Sequence, residues 1–188
     1  MSYAVPTNEL TLTDIKSFKI QAMEAGIKAA QDAGIGRRDQ LVVREALPFT
    51  DFGNNALGWL LEYYTNPVIA AAGWGSPFSA GALPAFVPQL QRTKVAVFYK
   101  FAVTNATPLI SGVRFRVGNT GATTKASFFI QLPTEAKLEP DVYFSEPVVY
   151  LPEDWVYIEA YYIAAAAVGS QTIPFGCFIV ERIGSTVS

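Results

Sequence analysis

The sequence predicts a mainly β fold, an antiparallel sandwich or jelly roll of about eight strands with one N-terminal helix and a long apolar Pro/Gly loop. Three observations carry this. In Lys94–Asn105 (KVAVFYKFAVTN) the odd positions Val95, Val97, Tyr99, Phe101 and Val103 are large and apolar, while the even ones apart from Phe98 are small or polar. Strand side chains alternate faces, so this run predicts a strand with one packed and one mostly wet face. Similar runs recur downstream at intervals of roughly 8–16 residues, with turn residues between them. The chain has 188 residues, 51% of them hydrophobic, a size at which such sandwiches form one unit.

In chain order, residues 1–10 read as an extended arm. Thr11 is placed as a helix N-cap with Asp14 as its capping-box partner, and Leu10 and Ile15 can close a hydrophobic staple across it. The helix is expected to run to about Ala33 and stop at Gly34, with Ile35 making the contact after a left-handed cap. Ile20, Met23, Ile27 and Ala30 mark its packed side, with Ile15, Phe18 and Ala22 adjoining. The small residues Ala22, Ala25, Gly26, Ala29, Ala30 and Ala33 would let another backbone approach closely. Gln40–Leu47 reads as a short strand, and Asn54–Tyr64 suits either a helix or a strand.

Pro67–Pro88 (PVIAAAGWGSPFSAGALPAFVP) has four prolines, three glycines, seven large apolar residues and no charge. Proline and glycine at this density forbid a long helix or central strand. Loops of this length in compact domains are usually functional. Its apolar side chains need cover, from the end of its own sandwich or from a neighbouring subunit; the second is the expectation.

After Thr93 the pattern is strands and turns. Val113, Phe115 and Val117 face one way and Arg114 and Arg116 the other, and Phe128, Ile130 and Leu132 alternate again. Asp141–Ser145 and Pro147–Leu151 read as two short strands, Trp155–Ala164 as a long one, and Thr172–Ile183 as the last. Pro174 and Gly176 suggest an edge position or a bulge near its start. The organisation expected is an arm and helix over 1–36, a strand, short helix and apolar loop over 37–92, and the sandwich core over 93–188, all in one folded unit.

Charged residues make up only 16% of the chain, against about 25% in typical domains. The net charge of −2 is segregated as −2 in residues 1–62, +6 in 63–134 and −6 in 135–188. Either strands from the last two blocks pair their charges across the sheet, or copies of the chain pair them between subunits. Six dispersed basic residues make no stripe for nucleic acid. No run approaches the ~18 apolar residues of a membrane helix. MSYAVPTNEL lacks the basic and apolar regions of a signal peptide. Cys177, alone of its kind, reads as a small core residue in a chain made in a reducing cytoplasm.

The chain has no histidine, which removes the commonest general base and metal ligand. It has no phosphate-binding glycine loop and no nucleophile elbow. No catalytic residue, metal ligand or cofactor is therefore assigned, and the expectation is that the protein is not an enzyme. A glycosidase needs only two carboxylates, and the best candidate is Glu159, on a strand with Trp155, Tyr157 and Tyr161. The alternative is that these aromatics form a sheet face on which Glu159 pairs with a neighbouring cation. Asp51, in PFTDFGNN, is read as a turn residue in preference to a calcium ligand. The expected interface residues are Trp74, Phe78, Leu83, Phe86, Arg114 and Arg116. A second surface, Trp155, Tyr157, Glu159 and Tyr161, is a candidate ligand platform.

A charge-poor β-sandwich over residues 93–183, preceded by an arm and helix, resembles the jelly-roll structural proteins of virions. Tailed-bacteriophage capsid decoration (cement) proteins and minor head or neck proteins are the nearest in style. The resemblance is architectural, so no functional residue is carried over from it. It implies a homo-oligomer, commonly a trimer, clamped on major capsid or other virion proteins, with no nucleic-acid or membrane partner. The alternative function is a carbohydrate- or receptor-binding β-sandwich module of a phage tail, neck or adhesin-like kind.

Overall fold

The computed structural model describes residues 4–6, 10–46, 51, 59–60, 63–65, 68–75, 89–102, 105, 107–118, 123–129, 141–167 and 170–184. Its elements are β1 (Ala4–Pro6), α1 (Leu12–Asp32), β2 (Leu41–Glu45), β3 (Trp59–Leu60), β4 (Tyr63–Thr65), β5 (Gly73–Gly75), β6 (Lys94–Ala102), β7 (Ile110–Val117), β8 (Thr123–Phe129), β9 (Asp141–Tyr150), β10 (Val156–Tyr162) and β11 (Thr172–Arg182). The larger sheet runs β1-β9-β6-β11-β4-β3, with β2 also paired to β11, and the smaller runs β5-β10-β7-β8. All pairings are antiparallel. The chain crosses from one sheet to the other after β4, β5, β6, β8, β9 and β10, which makes a sandwich in place of a simple meander.

The core between the sheets is aromatic. From the larger sheet come Phe98, Phe101, Phe144 and Tyr150, and from the smaller Phe115, Phe128, Ile158 and Tyr162. Phe128 stacks on Phe144 at 4.0 Å between ring centres, and Phe98 meets Phe115 at 5.2 Å. The Tyr150 hydroxyl crosses the core to donate to the main-chain oxygen of Arg116 at 2.9 Å.

The outer face of the larger sheet is covered by α1. Val95, Val97, Tyr99, Tyr143, Phe178 and Val180 pack under Ala22 and Ala30, flanked by Phe18, Met23 and Ile27. The helix begins as its sequence predicts. Thr11 N–H donates to Asp14 Oδ2 at 2.9 Å, and Asp14 N–H donates to Thr11 Oγ1 at 3.2 Å. It ends in a full Schellman motif. Gly34 has φ +74°, its N–H donates to the Gln31 carbonyl, and Ile35 N–H donates to that of Ala30. The small residues do bring backbones together, since a Cβ on Gly26 would lie 2.7 Å from Val180 Cγ2 and 2.8 Å from Val97 Cγ2. Ile20 departs from expectation and is 55% exposed. The contact line follows Ala22, Gly26 and Ala30, and Ile20 lies about a quarter-turn beyond its edge.

Two strand expectations are corrected. β6 has no wet face: Val95, Val97 and Tyr99 face the helix, while Ala96, Phe98 and Phe101 face the sandwich core. The alternation breaks at Tyr99, where β6 shifts register against both neighbours; Phe98 and Lys100 have partners on β9 and β11 but Tyr99 has none. One inserted residue moves everything after it to the other face. Phe101 is fully buried as expected, but on the side opposite Val95 and Val97; Val103 lies outside the described residues. The stretches around Pro147 are likewise one strand, β9. Between Val148 and Tyr143 the ladder with β6 skips, so Pro147 sits where no paired amide is required. The register shift near Gly176 is present, between Gly176 and Cys177, but the extra residue is Tyr99 of β6, and β11 lies inside the larger sheet and not at its edge.

Candidate functional site: the outer face of the smaller sheet

The four-stranded sheet turns one face to the core and leaves the other without a covering element among the described residues. On β7, Val113 and Phe115 point in, so Arg114 and Arg116 point out; on β10, Ile158 and Ala160 point in, so Tyr157, Glu159 and Tyr161 point out. The register then sets the rows. Glu159 stands opposite Arg114, Tyr157 opposite Arg116, and Tyr161 lies between Trp74 of β5 and Gly112 of β7, with Phe129 of β8 beyond.

Gly112 makes this last row possible. Its missing side chain leaves a gap into which the Phe129 ring leans; a Cβ there would lie 2.7 Å from Phe129 Cδ1. Trp74, Tyr161 and Phe129 form a three-ring cluster with centroid separations of 5.3, 5.5 and 6.0 Å. Phe129 is 59% exposed, so the cluster opens to solvent.

In the next rows Glu159 is only 8% exposed. Its Oε2 accepts from Arg114 Nε at 2.5 Å and from Arg116 Nη1 at 3.2 Å. The Arg114 guanidinium lies 4.3 Å from the centre of the Trp74 ring, and that of Arg116 5.9 Å from the centre of Tyr157. Burial, and then the Glu159 charge, push the Tyr157 hydroxyl above its ordinary range, so it remains a neutral hydrogen-bonding group. Arg116 Nε is buried and has no hydrogen-bond acceptor among the described residues.

Residues expected in two separate roles thus converge. Trp74, Arg114 and Arg116 were expected at an interface, and Tyr157, Glu159 and Tyr161 on a ligand platform; they share one face. Trp155 is partly exposed just before β10 and forms an isolated bridge to Gln89. Phe78, Leu83 and Phe86 lie outside the described residues. Sequence reading missed Phe129 and Gly112. The signal for Phe129 was a large aromatic at the position that the Phe128–Ile130 alternation assigns to solvent.

The charge blocks also resolve. All six cations of the middle block pair within the chain with acids of the last block: Arg92 with Glu153, Lys94 with Glu181, Lys100 with Asp141, Arg114 and Arg116 with Glu159, and Lys125 with Asp154. Lys94 belongs to a buried network in which its Nζ lies 2.9 Å from Asp51 Oδ1, and Arg44 binds Asp51 through two 2.7 Å bonds and Glu181 through one of 2.8 Å. The Asp51 carboxylate is therefore an ion-pair partner of Arg44 and Lys94, the role that neither a turn nor a calcium reading gave it. Among the described residues no group of three or more His, Cys, Asp or Glu could hold a metal ion, and no helix is long and apolar enough to cross a membrane.

The molecule is a β-sandwich with an aromatic and ion-paired sheet face. No protein-family model matches the chain, and no curated protein matches it. Among solved structures it is similar to the CBM36-1 domain of a multidomain xylanase from the hindgut metagenome of Trinervitermes trinervoides. The identity is 13%, the coverage 78% of this chain and 99% of that domain, and the TM-score 0.28. At that score the likeness carries no argument about fold or ligand.

Proposed function

We propose that this chain is a non-catalytic carbohydrate- or receptor-binding β-sandwich, with the outer face of the smaller sheet as its binding surface. The observation that carries this reading is the cluster of Trp74, Tyr161 and Phe129 beside the Arg114–Glu159–Arg116 group. Aromatic rings offer flat apolar area at low entropic cost, and the ion-paired groups beside them have directional donors and acceptors. A pyranose has the matching composition, one C–H face and a rim of hydroxyls. Glu159 in this reading orients two guanidiniums and is not an acid catalyst. The test is a glycan array probed with the native chain and with Trp74→Ala. Binding to a defined set of glycans, lost in the variant without loss of fold, supports the reading; no binding to any glycan defeats it.

A second reading is a structural subunit of a virion, a capsid decoration or minor head protein acting as a homo-oligomer on major capsid proteins. The observation favouring it is the arm: β1 adds itself to the edge of β9, with Ala4 opposite Phe144 and Pro6 opposite Val142, on a chain of unusually low charge. Charge pairing between copies no longer supports it, because those charges are used internally. Light scattering of the native assembly, with binding of purified protein to shells lacking it, tests this reading. A monodisperse monomer that leaves shells unbound would exclude it. The two readings are compatible in a receptor-binding module carried on a virion.

A further inference from the structure

The charge balance of the same face narrows its ligand. We infer that the outer face of the smaller sheet selects carboxylate-bearing saccharides, with Arg116 as the residue that receives the acid group; this rests on the carbohydrate-binding reading above. The described charged side chains at the centre of the face are Arg114, Arg116 and Glu159, two cations to one anion. The other cation near it, Lys125 on β8, is matched by Asp154 at 3.3 Å. Among the described residues this ion-paired group therefore carries one more cation than acid, on an otherwise uncharged aromatic surface, which favours an anionic partner.

The two guanidiniums are not held alike. Arg114 is fixed by a 2.5 Å bond to Glu159 and by its position against the Trp74 ring. Arg116 shares the same Glu159 oxygen at 3.2 Å, and its Nε has no acceptor among the described residues. Of the pair, Arg116 can turn toward a second carboxylate at the smaller loss, and a guanidinium fork suits a carboxylate better than any other side chain does. Tyr157, 5.9 Å from Arg116, lies beside that position, and Trp74, Tyr161 and Phe129 lie two rows along the sheet, at hand for a following neutral ring. A hexuronate and a sialic acid share this chemistry.

The test is calorimetric titration of the full chain with four probes: a trimer of α-1,4-linked galacturonic acid, its methyl ester, sialyllactose and lactose. The expected result is that at least one acid binds more tightly than its neutral counterpart by about tenfold or more, as expected for one added charge-assisted contact. That preference should fall as salt rises, vanish in Arg116→Gln and persist in Arg116→Lys, with the circular dichroism of both variants unchanged. Equal binding of acid and neutral probes would overturn the acid selectivity and leave the carbohydrate reading standing. A preference that survives Arg116→Gln would overturn the role of Arg116. Binding of none of the four, with an array blank for every glycan, would overturn both.

Discussion

Tyr99 shows how much a single residue decides in this chain. It is the extra residue of the β6 bulge, its ring stacks on Phe178 at 4.7 Å, and its hydroxyl donates to Glu45 at 3.1 Å. By interrupting the alternation it sends Val95 and Val97 to the helix and Phe101 to the sandwich core. The odd-even pattern of KVAVFYKFAVTN made the strand legible, but it hid the bulge, because apolar residues occupy buried positions on both faces. Phe101 is fully buried in the inter-sheet cluster. Phe101→Ala should cost about 3–5 kcal/mol in denaturant unfolding, the range for a buried phenylalanine. A loss below about 1 kcal/mol would place the side chain outside the core.

At the scale of elements, α1 was the most legible part. Its cap, its stop and its small-residue seam are all local signals that need no knowledge of the partner. The identity of the buried stripe was less legible, since Ile20 suits the pattern by composition while Gly26, which makes the closest approach, leaves no hydrophobic signal. Gly26→Val would drive a side chain into Val180 and Val97 and should destabilise by about 1–3 kcal/mol, the cost of overpacking. Its expected signature is a lower thermal midpoint with the four-stranded sheet intact. An unchanged midpoint would mean that the helix does not seat through this residue. The binding face was half legible. Alternation in β7 and β10 gave the outward residues, but only the register, a non-local property, shows that Arg114, Arg116 and Glu159 meet.

For the whole molecule, the segregated charge of the sequence becomes internal pairing, and its most buried part is the Arg44–Asp51–Lys94–Glu181 network joining β2, β6 and β11. Asp51→Ala would leave Lys94 buried with only a 3.9 Å approach to Glu181. We expect a loss of about 3–5 kcal/mol in urea unfolding, as for other broken buried pairs; a loss under about 1 kcal/mol would show that Lys94 reaches solvent. The buried tyrosines set the pH dependence. Burial pushes the Tyr99, Tyr150 and Tyr162 hydroxyls above their ordinary value of 10.0 and the Cys177 thiol above 9.0. Groups raised in the folded state favour it fully below their unfolded pKa, and that contribution is lost as pH rises above it. The thermal midpoint should therefore begin to fall near pH 9 and fall further above pH 10, with Cys177 unreactive to thiol reagents until unfolding. A midpoint that rises across this interval would contradict the burial of these groups.

The most decisive measurement maps the outer face of the smaller sheet directly. Backbone amide shifts should be recorded by NMR with and without a glycan selected on the array. The prediction is that perturbed amides cluster on β5, β7, β8 and β10 around Trp74, Gly112, Arg116 and Tyr161, and that α1 is untouched. Perturbations centred on α1 or on the β9 edge, with the outer face of the smaller sheet unchanged, would contradict it.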